Sequence, residues 1–190
     1  WQSMDALAQQ IYRESVSLDE LQIMAKNKEN LSSAIPAIWP IDRLQLEALY
    51  SFGMRFHPIY KRYRFHKGVD MACDKGVPVY ASGDAIVEST DIGRRRVGYG
   101  KQVLLNHEFG YKTRYAHLHT IKVKKGEKVK RGQEIGTMGN TGKSTAPHLH
   151  YEVIKNNKTV NPINFFYNDI TPEEYDKILE LSQLPSQTMD

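Results

Sequence analysis

The sequence predicts a mainly β domain carried between short helical segments, and three observations predict it. All thirteen glycines fall between Gly53 and Gly142, breaking that stretch into short apolar runs. No long helical period fits between them, and several runs are rich in β-branched and aromatic residues. Helical patterns are confined to the two ends of the chain.

Residues 1 to about 34 read as two short helices, with Leu7 and Ile11 one turn apart and Ser17-Leu18-Asp19-Glu20 forming a capping box before Leu21 and Met24. Pro36 and Pro40 bracket Ala37-Ile38-Trp39, which cannot continue a helix. The expected division is therefore a helical extension over 1–40, a β domain over 41–168 and a helix with tail over 169–190. The clearest strands are Val77–Ala81, Ala85–Val87, Gln102–Asn106 and His148–Ile154, with Pro78 marking a strand start or an edge. Thr171-Pro172-Glu173-Glu174 combines an N-cap, a first-turn proline and acidic residues, predicting a terminal helix from about 172 to 183.

The 190 residues allow one well-buried core with roughly forty residues to spare. A formal net charge of +4 and a pI near 9.0 suit an anionic partner without demanding one. The basic residues either cluster in Arg94-Arg95-Arg96 or alternate with apolar ones in Ile121-Lys122-Val123-Lys124, a solvated strand face. With no RNA- or DNA-binding motif beside them, a nucleic-acid partner is not expected. The lone Cys73 excludes an intrachain disulfide and reads as a small packed residue. Trp1 opens the chain and no apolar run is long enough for a signal sequence or membrane span, so the sequence is expected to be part of a longer precursor.

The chemistry lies in the histidines. His66-Lys67-Gly68-Val69-Asp70 and His148-Leu149-His150 flank Tyr115-Ala116-His117-Leu118. A catalytic zinc site takes three protein ligands, commonly imidazole and carboxylate, and keeps a position for water. Residues two or four apart on an extended strand share a side, so His66 with Asp70, and His148 with His150, are each able to face one site. The plain alternative is a surface hydrogen-bonding pair in one case and polar alternation in the other. His119, two residues beyond His117, competes for the same side. No His-Glu-x-x-His helix motif and no Gly-x-Ser-x-Gly elbow are present.

These residues resemble the lysostaphin and LytM-like zinc metallopeptidases, which cut peptide bonds in peptidoglycan. The likeness runs from about 51 to 166, through Ser51-Phe52-Gly53-Met54-Arg55 with His57-Pro58, His66-Lys67-Gly68-Val69-Asp70, Tyr115-Ala116-His117-Leu118, and Gly139-Asn140-Thr141-Gly142-Lys143-Ser144-Thr145 leading to Pro147-His148-Leu149-His150-Tyr151-Glu152-Val153. The resemblance implies a mostly antiparallel β domain with a groove, Zn2+ held by His66, Asp70 and His150, and catalytic roles for His117 and His148. Either histidine is chemically able to act as the base, with the other assisting the oxyanion or leaving amine. Arg55 and Ser144 are candidates to line the substrate groove, with loop structure as the competing reading.

The activity so implied is endopeptidase cleavage of peptidoglycan peptides, by an exported protein, periplasmic or anchored to the membrane through a segment preceding this one. The alternative is a related module that has lost catalysis and binds wall or activates another hydrolase; the intact five positions argue against it. Residues 123–136 also resemble the hairpin of biotinyl and lipoyl carriers, but no Met-Lys-Met-like acceptor turn follows. The helical extension is expected to pack on, or occlude, the groove.

Overall fold

The computed structural model describes residues 18, 21–22, 25–57, 62–93 and 98–168. Its thirteen strands in chain order are β1 Ala48–Tyr50, β2 Gly53–His57, β3 Arg62–His66, β4 Val69–Ala72, β5 Pro78–Tyr80, β6 Ala85–Asp91, β7 Gln102–Asn106, β8 Tyr111–Ala116, β9 Thr120–Ile121, β10 Lys128–Val129, β11 Glu134–Thr137, β12 His148–Lys155 and β13 Lys158–Val160. The mainly β expectation holds, and every strand pairing among the described residues is antiparallel.

The main sheet runs β1-β4-β12-β8-β7-β6-β10, with β13 also paired to β12. A second sheet runs β5-β11-β9, and β2 pairs with β3 as a separate hairpin. Pro78 opens β5, an edge strand, which spares the ladder the donor that proline lacks. Residues 121–124 alternate in burial as expected, Val123 being buried between exposed lysines. Regular strand stops at Ile121, although Lys122 N–H still donates to the Ile135 carbonyl.

Strand β12 explains how the fold positions its chemistry. It lies between β4 and β8, so both of its edges are hydrogen-bonded; successive side chains go to opposite sides, and His148 to Val153 are all buried, so both faces are covered. Leu149, Tyr151 and Val153 enter the hydrophobic core with Val69, Met71, Val103, Leu105 and Tyr115. His148, His150 and Glu152 take the other side, all three buried.

The chain divides into two compact units, Trp1–Ser33 and Ala34–Asp190. Residues 25–34 are helical; the capping box at Ser17 and the helix expected over 172–183 fall outside the described residues. Within the second unit the Pro36–Pro40 segment is not helical, and Trp39 stacks on Phe166 with ring centroids 4.3 Å apart. Cys73 is buried with its Sγ 3.3 Å from Met138 Sδ, and burial, then Glu47 and Asp74, push its thiol to about 12. That makes it inert packing. Among the described residues no helix is long and apolar enough to cross a membrane.

Candidate active site

Three side chains converge on one point. His66 Nε2, Asp70 Oδ1 and His150 Nδ1 lie 2.8 to 3.0 Å from one another. Asp70 and His150 are register partners on β4 and β12. His66 comes from elsewhere: β3 ends at His66, β4 begins at Val69, and the turn at Lys67–Gly68 carries the chain from the hairpin to the main sheet. Strand alternation therefore does not explain the His66–Asp70 spacing; a change of strand does. That turn is seated directly on β12, because a Cβ at Gly68 would stand 2.2 Å from the Tyr151 carbonyl oxygen.

Hydrogen bonds set which nitrogen of each ring holds the proton. His66 Nδ1–H donates to the Ser51 carbonyl at 2.8 Å, a partner that only accepts, so the neutral ring turns its Nε2 lone pair inward. His150 Nε2–H donates to the Glu152 carboxylate at 3.1 Å, which turns its Nδ1 lone pair inward. Asp70 is fully buried; burial alone would raise its carboxyl, but hydrogen bonds from His150 and His66, and their positive charge when a ring carries a second proton, hold it well below the ordinary carboxylate range. Three electron-pair donors thus face one another with neutral rings, an arrangement that requires a cation or extra protons between them. Two imidazoles and a carboxylate fit a divalent metal of borderline softness, and these three residues are the one such group among the described residues.

The other two histidines stand beside this cluster. His148 is wholly buried, its Nε2 3.9 Å from Asp70 Oδ1 and its ring 4.7 Å from that of His117 between centroids. His148 Nδ1–H donates to the Ala146 carbonyl at 2.9 Å, and His117 Nδ1–H to the Thr141 carbonyl at 2.6 Å. Both rings are thereby set with Nε2 as the acceptor. His117 has φ +60°, so β8 stops at Ala116 and the chain turns. Strand parity is lost there. His119 is exposed and donates its backbone N–H to Thr137, away from the competition the spacing had raised.

A glycine contact holds the Thr141 carbonyl in place. Gly100 has φ +60° and lies so close to residue 141 that a Cβ would meet Thr141 C at 2.4 Å. Thr141 Oγ1 accepts from Lys101 N–H and donates to the Leu118 carbonyl, tying residues 101, 118 and 141 together around His117.

Arg55 does not stand apart from the cluster: its Nη2 donates to Asp70 Oδ2 at 3.0 Å, with both side chains buried. Ser144 Oγ donates to the Ala146 carbonyl at 2.8 Å and lies 3.1 Å from His148 Nδ1. Sequence reasoning missed Glu152, Tyr99 and Arg114. Glu152 accepts from His150, from the Tyr99 hydroxyl at 2.7 Å and from Arg114 Nε at 3.0 Å. The alternation that picked out His148 and His150 extends one step further to Glu152, so that residue was legible; Tyr99, in a glycine-rich loop, carried no signal.

Known proteins resemble this chain in sequence and in fold. The chain is 44% identical over 140 residues to the peptidoglycan DD-endopeptidase ShyA of Vibrio cholerae serotype O1, covering 74% of this chain and 32% of ShyA. The crystal structure of a zinc containing peptidase from Vibrio cholerae matches with a TM-score of 0.56 and 41% identity, over 65% of this chain and 37% of that one. The catalytic domain of the antimicrobial peptidase lysostaphin from Staphylococcus simulans matches with a TM-score of 0.53 and 34% identity, over 61% of this chain and 90% of that domain. The chain thus spans about a third of the curated relative's length, and its resemblance to the lysostaphin group holds in sequence and fold. Residues 64–162, just over half of it, match the model of peptidase family M23, and the chain belongs to that family.

Proposed function

We propose that this protein is a zinc-dependent endopeptidase that hydrolyses the peptide part of bacterial peptidoglycan. The observation that carries the reading is the convergence of His66 Nε2, Asp70 Oδ1 and His150 Nδ1, beside two histidines whose Nδ1–H groups are already committed to carbonyls. The words "zinc containing" and "DD-endopeptidase" in the relatives' names support zinc as the ion and a D,D bond as the first substrate to try.

His66, Asp70 and His150 would hold the ion, which supplies a Lewis acid to polarise the scissile carbonyl and acidify water. His117 and His148 move the protons: one Nε2 accepts from the attacking water, and the other ring, once protonated, donates to the developing oxyanion or the leaving amine. Burial of both rings excludes bulk water, strengthening each such contact. Arg55 serves Asp70 with one nitrogen, and this places it beside the cluster at the base of the proposed substrate groove. Ser144 supports His148 through the carbonyl they share, at the margin of the substrate.

The unit assigned to this activity is 41–168, flanked by the extension 1–40 and the segment 169–190. Its substrate puts the protein outside the cytoplasm, in the periplasm or cell envelope, either free or anchored to the membrane.

The test is release of soluble muropeptides from purified peptidoglycan by the parent protein, by a chelated sample restored with zinc, and by His150→Ala. Cleavage that disappears with chelator, returns with zinc and is absent in the variant supports the reading. No cleavage by zinc-loaded parent protein across several wall types overturns it in favour of a binding or activating module.

A further inference from the structure

We propose that Glu152 is a positioning residue that sets the metal affinity of this site by fixing the His150 tautomer, and that Tyr99 ties that setting to the loop holding His117. The proposal rests on the reading of the His66–Asp70–His150 cluster as a metal centre.

A neutral imidazole has one proton for two nitrogens, and only the Nε2–H form of His150 leaves Nδ1 able to join the cluster. Glu152 selects that form because its carboxylate accepts and has nothing to donate. It is 2% exposed and takes three donors: His150 Nε2 at 3.1 Å, the Tyr99 hydroxyl at 2.7 Å and Arg114 Nε at 3.0 Å. Arg114 faces Glu152 in register across β8 and β12, its Nη1 donates to Gln102 Oε1 at 2.5 Å, and its guanidinium carbon lies 4.4 Å from the centre of the Tyr99 ring. The carboxylate is thus fixed from two sides before it meets His150.

Two of the contacts of Tyr99 link different parts of the site. Its hydroxyl donates to Glu152, while its backbone carbonyl accepts the His117 N–H at 2.9 Å. Lys143 N–H bonds the Gly98 carbonyl next to it, joining this loop to the one that supplies Thr141. One short loop therefore touches both the ligand His150, through Glu152, and the proton-transfer residue His117.

The experiment compares the parent chain with Glu152→Gln and Tyr99→Phe by three readouts. These are zinc dissociation constant by competition with a chromophoric chelator, the side-chain nitrogen shifts of His150 in the metal-free protein, and the urea midpoint of the metal-free protein. A glutamine has one oxygen for three donors, so His150 or Arg114 loses its acceptor. Glu152→Gln is expected to weaken zinc binding roughly 10- to 100-fold and to shift His150 toward the Nδ1–H form. Tyr99→Phe is expected to weaken zinc binding less, on the order of threefold to tenfold, with the same sign of nitrogen shift. A parent chain that binds zinc tightly, with both variants within twofold of it and His150 nitrogen shifts unchanged, overturns the proposal and leaves the metal centre standing. Loss of zinc affinity with unchanged nitrogen shifts and a lowered urea midpoint assigns Glu152 a merely structural role and also overturns it. A parent chain that binds no zinc removes the metal-centre reading itself. Should Glu152→Gln fail to fold, Tyr99→Phe, which leaves no unpaired charge, decides by the same readouts.

Discussion

Arg55 and His150 meet opposite oxygens of one carboxylate: Arg55 Nη2 donates to Asp70 Oδ2 at 3.0 Å, while His150 Nδ1 meets Asp70 Oδ1 at 2.8 Å. Removing the guanidinium strands a buried negative charge when no metal is present. Arg55→Ala is therefore expected to destabilise the chelated protein by about 3 kcal/mol, and the zinc-loaded protein by less, because the ion offsets part of the charge. Urea unfolding with and without chelator measures the difference.

His117 and His148, proposed to move protons, are not among the three residues proposed to hold the ion. His117→Ala and His148→Ala are each expected to bind zinc within a few-fold of the parent while losing roughly 10²- to 10⁴-fold in muropeptide release. His150→Ala should lose both. Equal loss of zinc by His117→Ala would remove it from the proton-transfer role.

A third expectation concerns His107, buried just beyond β7 and outside these motifs. Its Nδ1 meets the Asp84 carbonyl at 3.0 Å and its Nε2 the Thr113 hydroxyl at 2.6 Å. Burial, joined by the charge of Arg131, lowers it from 6.5 to about 4 against the opposing pull of Asp84. Between these values the unfolded chain binds more protons than the folded one, so stability rises with pH across the window and is lost as pH falls from 6.5 toward 4. The full effect is about 3 kcal/mol. His107→Gln keeps a donor and an acceptor without titrating, so its stability should fall less steeply over that range when unfolding is followed by circular dichroism.

Gly100 supplies a fourth. Alanine there must adopt φ +60° and push against Thr141 backbone, displacing the carbonyl that holds His117. Gly100→Ala is expected to cost about 1–3 kcal/mol of stability and to reduce hydrolysis more than zinc affinity. Parallel kinetics and chelator competition separate the two effects.

Legibility in the sequence followed local periodicity. His148, His150 and the core positions Leu149 and Tyr151 could be assigned to faces because β12 is one uninterrupted strand. The rule failed wherever the chain left the strand: at Lys67–Gly68, where His66 and Asp70 prove to belong to different sheets, and at His117, whose left-handed backbone turns His119 away. Arg55 carried a motif yet its partner Asp70 lies fifteen residues on, a pairing that only the packing of the hairpin determines. Tyr99 is reached through tertiary contact alone.

The two-sided burial of β12 also bears on how such a domain can vary through descent. A single-residue insertion or deletion within 148–152 would exchange the faces, sending histidines into the apolar interior and Leu149 and Tyr151 into the ionic cluster. Length is therefore frozen along that strand, and hereditary change in this region is confined to substitution. The connections between strands carry no such parity, so gain or loss of residues is free to arise there while the histidine-bearing strand keeps its count.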